Sequence, residues 1–408
     1  MVLLLLLVFH SREYVCQDTA TYPDLFSGGN NQRYLILLIF RDGLANRLRS
    51  IADWYSIAQA SGRELVVSWA PRIECNAMFS DLFDIKATKR NLPHFRPLSY
   101  SILDSGDSSL EAEVRDIATE HGLTFAMLPL IEDFFIPFDS AVFSDHVNAV
   151  MTTYHGLVAM EGIPCTQYLS GRSNFLSSLA PIKYIADYLQ NLQYSHFGAN
   201  HLMVGVHYRV HREEFDWAVV PPLLDTDTSL KFSEGASLED FKTTMTELLT
   251  AKPHIRFFFA SNDVDAKEDI LNIFQDKVVI LRGSDSRSSV EGIQFALLEW
   301  LTLSRAQLVL HTYGSSFGQE AAQVHGAALV GIWHQYKVYS RNGLLNYCGI
   351  PNFMKKYTNF GVSKAYMEGT VDRRVIDDQY FRIKSCTSMD QWGMSEVYCS
   401  ERASEGDV

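Results

Sequence analysis

The sequence lacks an excess of positive charge and any long apolar run. Its 408 residues hold 35 lysines and arginines against 48 acidic residues, a net charge of −13. That balance argues against nonspecific nucleic-acid binding, although one local basic pocket can still hold phosphate. The apolar start, MVLLLLLVF, has nine residues and is too short to span a bilayer as a helix. No later segment is a candidate for a membrane span.

Cysteine is scarce too, with six residues in no spacing typical of a metal site. Cys386 and Cys399 lie close together, and disulfides fit a secretory chain. The apolar start resembles the core of a signal peptide that lacks its positive leading region. We therefore expect a signal-like leader over residues 1–30, able to serve as a membrane anchor, and a location in the secretory pathway, in the Golgi. If the start is instead a first strand or a wrongly assigned start, the expected location is cytoplasmic.

Repeats and dinucleotide motifs are also missing. The chain shows no internal period, and its 47% hydrophobic and 20% charged residues are typical of a folded protein long enough for two domains. The two Gly-bearing junctions between a strand and a helix read DGLANR and YGSSFG, and neither is G-x-G-x-x-G. A dinucleotide-dependent oxidoreductase is therefore disfavoured.

Strands and helices alternate in two parts of the chain. The first part predicts a strand at 34–40, a helix at 44–61 with apolar residues three or four apart, and a strand at 65–69. Residues 90–167 mix short strands with loops, and we expect them to supply acceptor-side surface. A helix at 181–192 leads to the second part.

The second part alternates more regularly. Its predicted strands are 203–208, 255–260, 277–281, 307–311 and 328–333, and its predicted helices are 238–250, 265–274, 290–304 and 317–325. Strands separated by helices of this length favour parallel sheets. We expect an α/β protein of two Rossmann-like domains whose parallel sheets face an interdomain cleft, the first at 31–195 and the second at 196–345. The tail, 346–408, is expected to pack back on the first domain.

His207 and Arg209 are the first candidate site residues. They lie two apart on a predicted strand, so their side chains share one face, and open α/β sheets bind ligands at the carboxyl ends of their strands. The planar guanidinium of an arginine donates two parallel hydrogen bonds to a diphosphate. An ordinary strand end with solvated charges is the alternative.

A second candidate is the segment HTYGSSFGQE at 311–320. A strand ends there, a small Gly-bearing turn follows, and a helix begins near Phe317. Backbone N–H groups at a helix N-terminus, together with the Ser315 and Ser316 hydroxyls, make an anion site. The pattern fits a plain helix cap equally well. It lies in the same predicted sheet as Arg209, however, so both can face one phosphate chain.

Two carboxylates adjoin these elements. Asp263 follows the predicted strand at 255–260, and Glu299 lies in the apolar helical segment ALLEWLTL. A carboxylate at Glu299 can accept hydrogen bonds from the edge of a nucleobase. The alternative is an exposed helix residue.

Four segments in order carry a resemblance to a known family. They are GLANRLRSIADWYSIAQASGRELVVSWAPRIECNAMFSDLFD, VGVHYRVHREE, FFFASND and SSVEGIQFALLEWLTLSRAQLVLHTYGSSFGQEAA. They resemble the motifs of the fucosyltransferase superfamily that includes the α1,6-/nodulation-type and protein O-fucosyltransferases. The match covers residues 34–85 and 200–333. It implies a GT-B-type fold, GDP-fucose as the donor substrate, inversion at the sugar carbon, a carbohydrate or glycoprotein acceptor, and neither a cofactor nor a required metal.

The resemblance also implies roles for individual residues. Arg209 would neutralise the β-phosphate leaving group, and His207 would help to place the nucleotide. Asp263 and Glu299 would contact the nucleoside or its ribose, and Asn46 would meet the donor sugar or phosphate from the other domain. The remaining expected donor-binding residues are Gly43, Tyr313, Gly314, Ser315, Ser316 and Phe317.

Three positions depart from the family pattern. Relatives of the α1,6 type carry a second arginine directly after the first, where this chain has Val210, and Arg212 is the nearest substitute. The acidic helix residue expected as Asp is Glu299. Relatives often have Gly where this chain has Asp42.

Asp42 is therefore an expected catalytic residue. Inverting transfer needs a group that takes the proton of the acceptor hydroxyl, and Asp42 follows the first strand at the mouth of the expected cleft. Glu213, Glu214 and Asp216 are alternative bases. The other interpretation of Asp42 is a turn residue that caps the next helix.

Two other functions stay open. A metal-dependent glycosyltransferase would hold Mn²⁺ with an Asp-x-Asp pair, and the chain has Asp263 with Asp265 and Asp225 with Asp227. Such pairs are frequent by chance, and the positive charge of Arg209 can replace that of a metal. The other alternative is a noncatalytic nucleotide-sugar-binding relative, which the missing second arginine favours.

Overall fold

The structure is a computed structural model. It describes residues 32–39, 42–98, 116, 118–127, 135–137, 143, 145–152, 159–161, 165–197, 202–210, 236–284, 286–312, 315–333 and 336–340. The expected leader and C-terminal tail lie outside these residues, as do the acidic residues 213, 214 and 216. Within the described ranges, no helix has the length and apolar character that a membrane crossing requires.

A five-stranded parallel sheet forms the first half. Its strands are β1 (Tyr34–Ile39), β2 (Glu64–Trp69), β3 (Phe95–Pro97), β4 (Phe125–Met127) and β6 (Ala149–Thr152), in the order β3-β2-β1-β6-β4. Strands β5 (Phe135–Pro137) and β7 (Ala159–Glu161) pair separately. Every residue of β1 is buried, because a parallel strand covered on both faces needs a continuous apolar run.

Helices connect and cover these strands. In the described residues of this half they are α1 (Leu44–Ala60), α2 (Phe79–Leu82), α3 (Ile85–Asn91), α4 (Cys165–Ser178) and α5 (Lys183–His196). After α1, Gly62 adopts a φ of 62° and turns the chain into β2. Gly171 lets α4 approach α1 closely, since a Cβ there would lie 2.6 Å from Ser56 Oγ.

The second half contains a six-stranded sheet. Its strands are β8 (Leu202–Tyr208), β9 (Ile255–Ser261), β10 (Val278–Val279), β11 (Leu308–Thr312), β12 (Ala328–Trp333) and β13 (Tyr336–Ser340), in the order β10-β9-β8-β11-β12-β13. All neighbours pair in parallel except β12 with β13. The strand order reverses between β8 and β11, and open α/β sheets bind ligands beyond the carboxyl ends of strands at such a point.

Four described helices accompany the second sheet: α6 (Leu238–Ala251), α7 (Val264–Phe274), α8 (Val290–Leu303) and α9 (Ser316–Val324). Ser237 caps α6, because its hydroxyl accepts the Asp240 N–H while the Asp240 side chain accepts the Ser237 N–H. Helix α9 follows the strand at which the sheet order reverses, so its N-terminus lies at the same sheet edge.

The α/β architecture with two Rossmann-like parallel sheets is confirmed, and several elements differ from expectation. The strand predicted at 277–281 is wrong in extent, because a 3-10 helix at Gln275–Lys277 takes its start and β10 keeps only two residues. The helix predicted at 181–192 begins two residues later, since Pro181 bridges to Phe83. Helices α2, α3 and α4 and strand β13 are additions to the predicted elements.

One hydrophobic core runs through both halves. It includes Leu37 of β1 and Trp54 of α1 together with Trp300 of α8 and Ala321 of α9. Helices α1 and α4 of the first half pack against α9 of the second. The two sheets are therefore joined by packed helices.

Four charged side chains meet at this interface, three of them buried and Arg49 partly buried. Oε1 of Glu320, which is fully buried in α9, lies 2.5 Å from Arg49 Nε of α1, and Oε2 lies 2.7 Å from Arg172 Nη2 of α4. Arg172 also pairs with Asp53 of α1, and its Nε donates to Gln323 Oε1 at 3.1 Å. Two positive and two negative charges balance, as their burial requires. We call Arg49, Asp53, Arg172 and Glu320 the interface ion cluster.

Replacing Arg172 by Met should lower the free energy of unfolding by about 3–5 kcal/mol, because Asp53 and Glu320 then lose a buried cation. Urea unfolding followed by circular dichroism measures this loss. Lys183→Met is the matched control, since Lys183 pairs with Asp187 on the surface and such pairs contribute less than about 1 kcal/mol. Equal losses in the two variants would show that the interface ion cluster does not stabilise the contact between the halves.

Candidate functional site

The carboxyl ends of β8 and β11 bring the main candidate residues together. His207 of β8 and His311 of β11 are partners in the parallel register, and Arg209 directly follows β8. The first turn of α9 lies beside them, because the rings of His207 and Phe317 stack with centroids 4.8 Å apart and planes 28° apart. The structure therefore places Arg209, His207 and the N-terminus of α9 at one sheet edge.

The backbone around Arg209 is fixed from both neighbouring strands. The Arg209 N–H donates to Thr312 Oγ1 at the end of β11, at 2.9 Å. On the other side, the Val210 N–H donates to Asn262 Oδ1 at 3.0 Å, and Asn262 Nδ2 donates to the Val210 carbonyl at 2.6 Å. These side chains continue the sheet's hydrogen bonding beyond β8. Arg209 is thus presented from a rigid backbone.

The Arg209 guanidinium is partly buried in a positive environment. Burial first, and the nearby charge of Arg287 second, lower the pKa of Arg209 to about 9. The guanidinium keeps its charge at neutral pH, and its charged neighbour among the described residues is another cation. An anion bound between the two arginines would be stabilised by both.

His207 is a neutral group in this site. Its side chain is 5% exposed, and burial, followed by the charges of Arg209 and His311, holds its pKa well below the usual value. One ring nitrogen of a neutral histidine donates and the other accepts. The buried Nδ1 makes no hydrogen bond with the described residues. His207 can therefore hydrogen-bond an anion without adding charge.

His311 fixes the start of α9. It is fully buried, and burial lowers its pKa to about 4. Its Nδ1 lies 3.3 Å from the carbonyl oxygen of Ser315, which can only accept, so Nδ1 carries the proton and donates. This bond ties β11 to the N-cap residue of α9.

The first turn of α9 packs directly against both strands. A Cβ at Gly318 would lie 2.5 Å from His311 Cβ and 3.3 Å from His207 Cβ, so glycine allows this approach. Ser315 is the N-cap, but its hydroxyl makes no capping hydrogen bond. The half-buried Ser315, Ser316 and Phe317 present an uncapped helix N-terminus at the site, which favours an anion.

Tyr313 and Gly314, also expected to line the diphosphate, lie outside the described residues.

The first half contributes the turn from β1 to α1. Asp42 has a φ of 69°, in the left-handed region that glycine adopts freely and that Asp tolerates better than most residues. Arg47 is buried and donates from Nε to the Asp42 carbonyl at 2.8 Å and from Nη1 to the Ala70 carbonyl at 2.6 Å. The N-cap of α1 is Gly43, not Asp42, so the interpretation of Asp42 as a helix cap is wrong.

Asn46 is partly exposed one turn from the start of α1. Residues three apart share a face of a helix, so Asn46 lies on the face that carries Arg49. Arg49 contacts Gln319 and Glu320 of α9. Asn46 therefore lies on the side of α1 that meets the second half, and its expected contact with the donor stays a prediction.

The two candidate carboxylates have structural partners. Oδ1 of Asp263 accepts the N–H groups of Asp265 and Ala266 and caps α7. Glu299 is 7% exposed, and its Oε1 lies 3.2 Å from Lys267 Nζ. It is therefore not an exposed helix residue. The expected contacts of Asp263 and Glu299 with the nucleoside stay predictions.

The two Asp-x-Asp pairs were the alternative candidates for a metal site. Within the described ranges, no group of three or more His, Cys, Asp or Glu side chains is arranged to hold a metal ion. Asp225 and Asp227 lie outside those ranges. A cavity of about 480 Å³ lies at the opposite, amino edge of the second sheet, lined by Arg305, Gln307 and His325 among others. It is remote from Arg209 and does not belong to this site.

The structure is similar to fucosyltransferases. Fucosyltransferase NodZ from Bradyrhizobium matches with a TM-score of 0.49 and 17% identity, over 77% of this chain and 100% of that one. A mutant of Arabidopsis thaliana FUT1 in complex with GDP matches with a TM-score of 0.49 and 14% identity, over 78% and 73%. POFUT1 in complex with GDP-fucose matches with a TM-score of 0.43 and 12% identity, over 73% and 96%. No family model matches the chain, and no curated protein matches its sequence.

These three structures are fucosyltransferases, and the sequence motifs resemble the same superfamily. At identities of 12–17% and TM-scores of 0.43–0.49, however, the similarity by itself decides no activity. The function has to be argued from the residues of the site.

Three residues that build the site were given no role from the sequence, although Asn262 lies beside Asp263 at the end of the same predicted strand. Thr312 and Asn262 fix the Arg209 backbone, and Arg287 lies near its guanidinium. Asn262 and Thr312 follow buried strands next to β8, so the position of polar residues at adjacent strand ends was an available signal. Arg287 lies in an irregular segment, where no periodicity points inward.

Thr312→Val should lower the free energy of unfolding by about 1–3 kcal/mol, because it leaves the Arg209 N–H without its acceptor. The control is Thr302→Val in α8. The Thr302 hydroxyl donates to the Leu298 carbonyl within the helix, so its removal leaves no N–H unsatisfied and should cost less than about 1 kcal/mol. Denaturant unfolding compares the two. Similar small losses would mean that Thr312 does not fix the Arg209 backbone.

Proposed function

We propose that this protein is a glycosyltransferase that transfers fucose from GDP-fucose to a hydroxyl of a glycan or glycoprotein, with inversion and without a required metal. The observation that carries the proposal is the fixed presentation of Arg209 where the strand order of the second sheet reverses. Its guanidinium has a cation as its charged neighbour, beside a neutral histidine and an uncapped helix N-terminus.

Three kinds of donor suit a departing nucleoside diphosphate. When the bond from the sugar to the β-phosphate breaks, negative charge develops on the phosphate oxygens, and preorganised donors at those oxygens lower the barrier. Arg209 supplies a planar charged fork. The N–H groups of the first turn of α9 supply a partial positive charge, and His207 supplies a neutral donor. Together they can do the work of a metal ion on a diphosphate.

The choice of GDP-fucose rests on the sequence. The four motifs that resemble the fucosyltransferase superfamily include the segments of β8, β9, β11 and α9, and residues of these segments hold the backbone at Arg209 or pack against His207. Resemblance and site geometry thus point to the same strand ends. The acceptor, the Golgi location and the N-terminal anchor stay predictions from the sequence.

Asp42 is the base that we propose for the acceptor hydroxyl. Its left-handed backbone costs free energy on the order of 1 kcal/mol, and residues held in such conformations cluster at functional sites. Gly43 and Asn46 follow it at the start of α1, the helix that packs against α9 of the second half.

Asp42→Asn should lower the rate of transfer by about a hundredfold or more while GDP binding is kept. GDP release from GDP-fucose, with water or a glycan as acceptor, measures the rate. A variant that turns over at the wild-type rate would remove Asp42 as the base.

Arg209→Ala should abolish most GDP and GDP-fucose binding with the fold intact, and Arg209→Lys should restore only part, since a point charge lacks the fork. Calorimetry with GDP, GDP-fucose, GDP-mannose, UDP-sugars and NAD, in EDTA and then in Mn²⁺, measures this. Arg256→Ala is the control, because Arg256 lies at the amino end of β9 and donates to the His196 carbonyl.

The outcomes separate the alternatives. Binding of GDP-fucose in EDTA that Arg209→Ala removes and Arg256→Ala leaves would support the proposed donor site. Binding that requires Mn²⁺ or prefers a uridine donor would contradict it and favour Asp263 and Asp265 as metal ligands. Donor binding without turnover on any acceptor or water would identify a noncatalytic relative.

A further inference from the structure

We infer that Arg287 supplies the second guanidinium of the donor diphosphate site and that Asn76, from the other half of the chain, positions it. Arg287 lies on the segment 281–289 between β10 and α8. The inference rests on the proposed function and deepens it. It names a second phosphate-binding residue outside the expected motif and makes phosphate binding depend on the contact between the halves.

The backbone of this segment is bonded to the first half. The Asn76 N–H donates to the Arg287 carbonyl at 3.0 Å, and Asn76 Nδ2 donates to the Ser288 carbonyl at 2.7 Å. Asn76 thus uses both its backbone N–H and its side-chain amide to hold two successive residues. The position of Arg287 relative to β8 is therefore set partly by the first half.

The same segment is also fixed on α8. Ser289 caps this helix by accepting the Gly292 N–H at 3.0 Å. A Cβ at Gly292 would overlap the Ser286 carbonyl, so glycine lets the segment lie on the first turn of the helix. Arg287 is held between this contact and Asn76. Arg287 is therefore a partly buried residue on a segment that is held by hydrogen bonds and packing.

The electrostatics place the Arg287 guanidinium between the halves. Its charge lowers the pKa of both Arg209 and His207. Its own pKa is lowered by burial, while Cys75 and Glu74 of the first half act in the opposite direction. Arg287 therefore interacts electrostatically both with Glu74 of the first half and with Arg209 of the second. Two guanidiniums that approach each other repel unless an anion lies between them, and a diphosphate carries enough charge for both.

Because Val210 occupies the position of the second arginine in the resembling enzymes, a second cation at the diphosphate site has to come from another segment. The resembling α1,6-type enzymes carry an arginine at that position, and here both backbone groups of Val210 are bonded to Asn262. Arg212 lies outside the described residues. A cation from the segment before α8 restores the charge that Val210 cannot supply.

The test is calorimetric binding of GDP, GMP and guanosine in EDTA to the wild type, Arg287→Ala and Arg287→Gln. Loss of a charge-assisted hydrogen bond should weaken GDP binding by about tenfold to a hundredfold, and guanosine binding should change by less than about twofold. Arg282→Ala is the matched control, since Arg282 precedes Arg287 on the same segment and pairs with Glu268 on the surface. It should leave GDP binding unchanged.

Asn76 is tested by a double-mutant cycle. Asn76→Ala alone should weaken GDP binding by about threefold to tenfold, and in the Arg287→Ala background it should have no further effect, because the group that it positions is gone. A purely structural Asn76 would weaken binding equally in both backgrounds, and that result would overturn its positioning role.

Failure of the inference differs from failure of the proposed function. If the wild type binds GDP, Arg209→Ala abolishes that binding and both Arg287 variants bind GDP as tightly as the wild type, only the inference is overturned. If the wild type binds no GDP, both the proposed function and the inference about Arg287 are overturned. Equal losses for GDP and guanosine in the Arg287 variants would also overturn the inference, because they would indicate distortion and not a phosphate contact.

Discussion

The buried carboxylate of Glu320 is the constraint on which the rest of the structure depends. A buried charge destabilises a protein strongly unless it is paired, and the partners of Glu320, Arg49 and Arg172, both come from the first half. Glu320 lies on α9, whose first turn forms part of the site. The ion pairs that join the halves therefore also fix the helix N-terminus that faces the proposed diphosphate.

The site brings two guanidiniums close enough for the charge of Arg287 to lower the pKa of Arg209. Arg209 is held by Thr312 and Asn262, and Arg287 is held by Asn76. Both guanidiniums are desolvated, which raises the free energy of the unbound site and strengthens its interaction with an anion. The neutral His207 adds a donor without further repulsion. This arrangement makes diphosphate binding the chemistry that the site favours.

Much of the fold could be predicted, because apolar runs and helical periodicity are properties of short stretches of the sequence. The strand β8, the pair of His207 and Arg209, and the helix after β11 follow from the sequence alone. Helix α4 does not, because the charged Arg172 shares its buried face with Phe175 and Leu176 and hides the apolar period. The buried arginine on that face is itself the signal of a partner carboxylate in another element.

The other site residues differ from expectation because they make contacts that the periodicity of the sequence does not indicate. The cap that Asp263 forms on α7 could have been predicted, since Asp directly before a helix is a typical N-cap, but the pairing of Glu299 with Lys267 cannot be read from spacing. Arg287 reaches the site through an irregular segment bonded to the other half.

The most direct test is a crystal structure with GDP, grown in the presence of Mn²⁺. We predict that the diphosphate lies between Arg209, Arg287 and the first turn of α9. A diphosphate bound through Mn²⁺ to Asp263, or GDP in the cavity lined by Arg305 and His325, would contradict it.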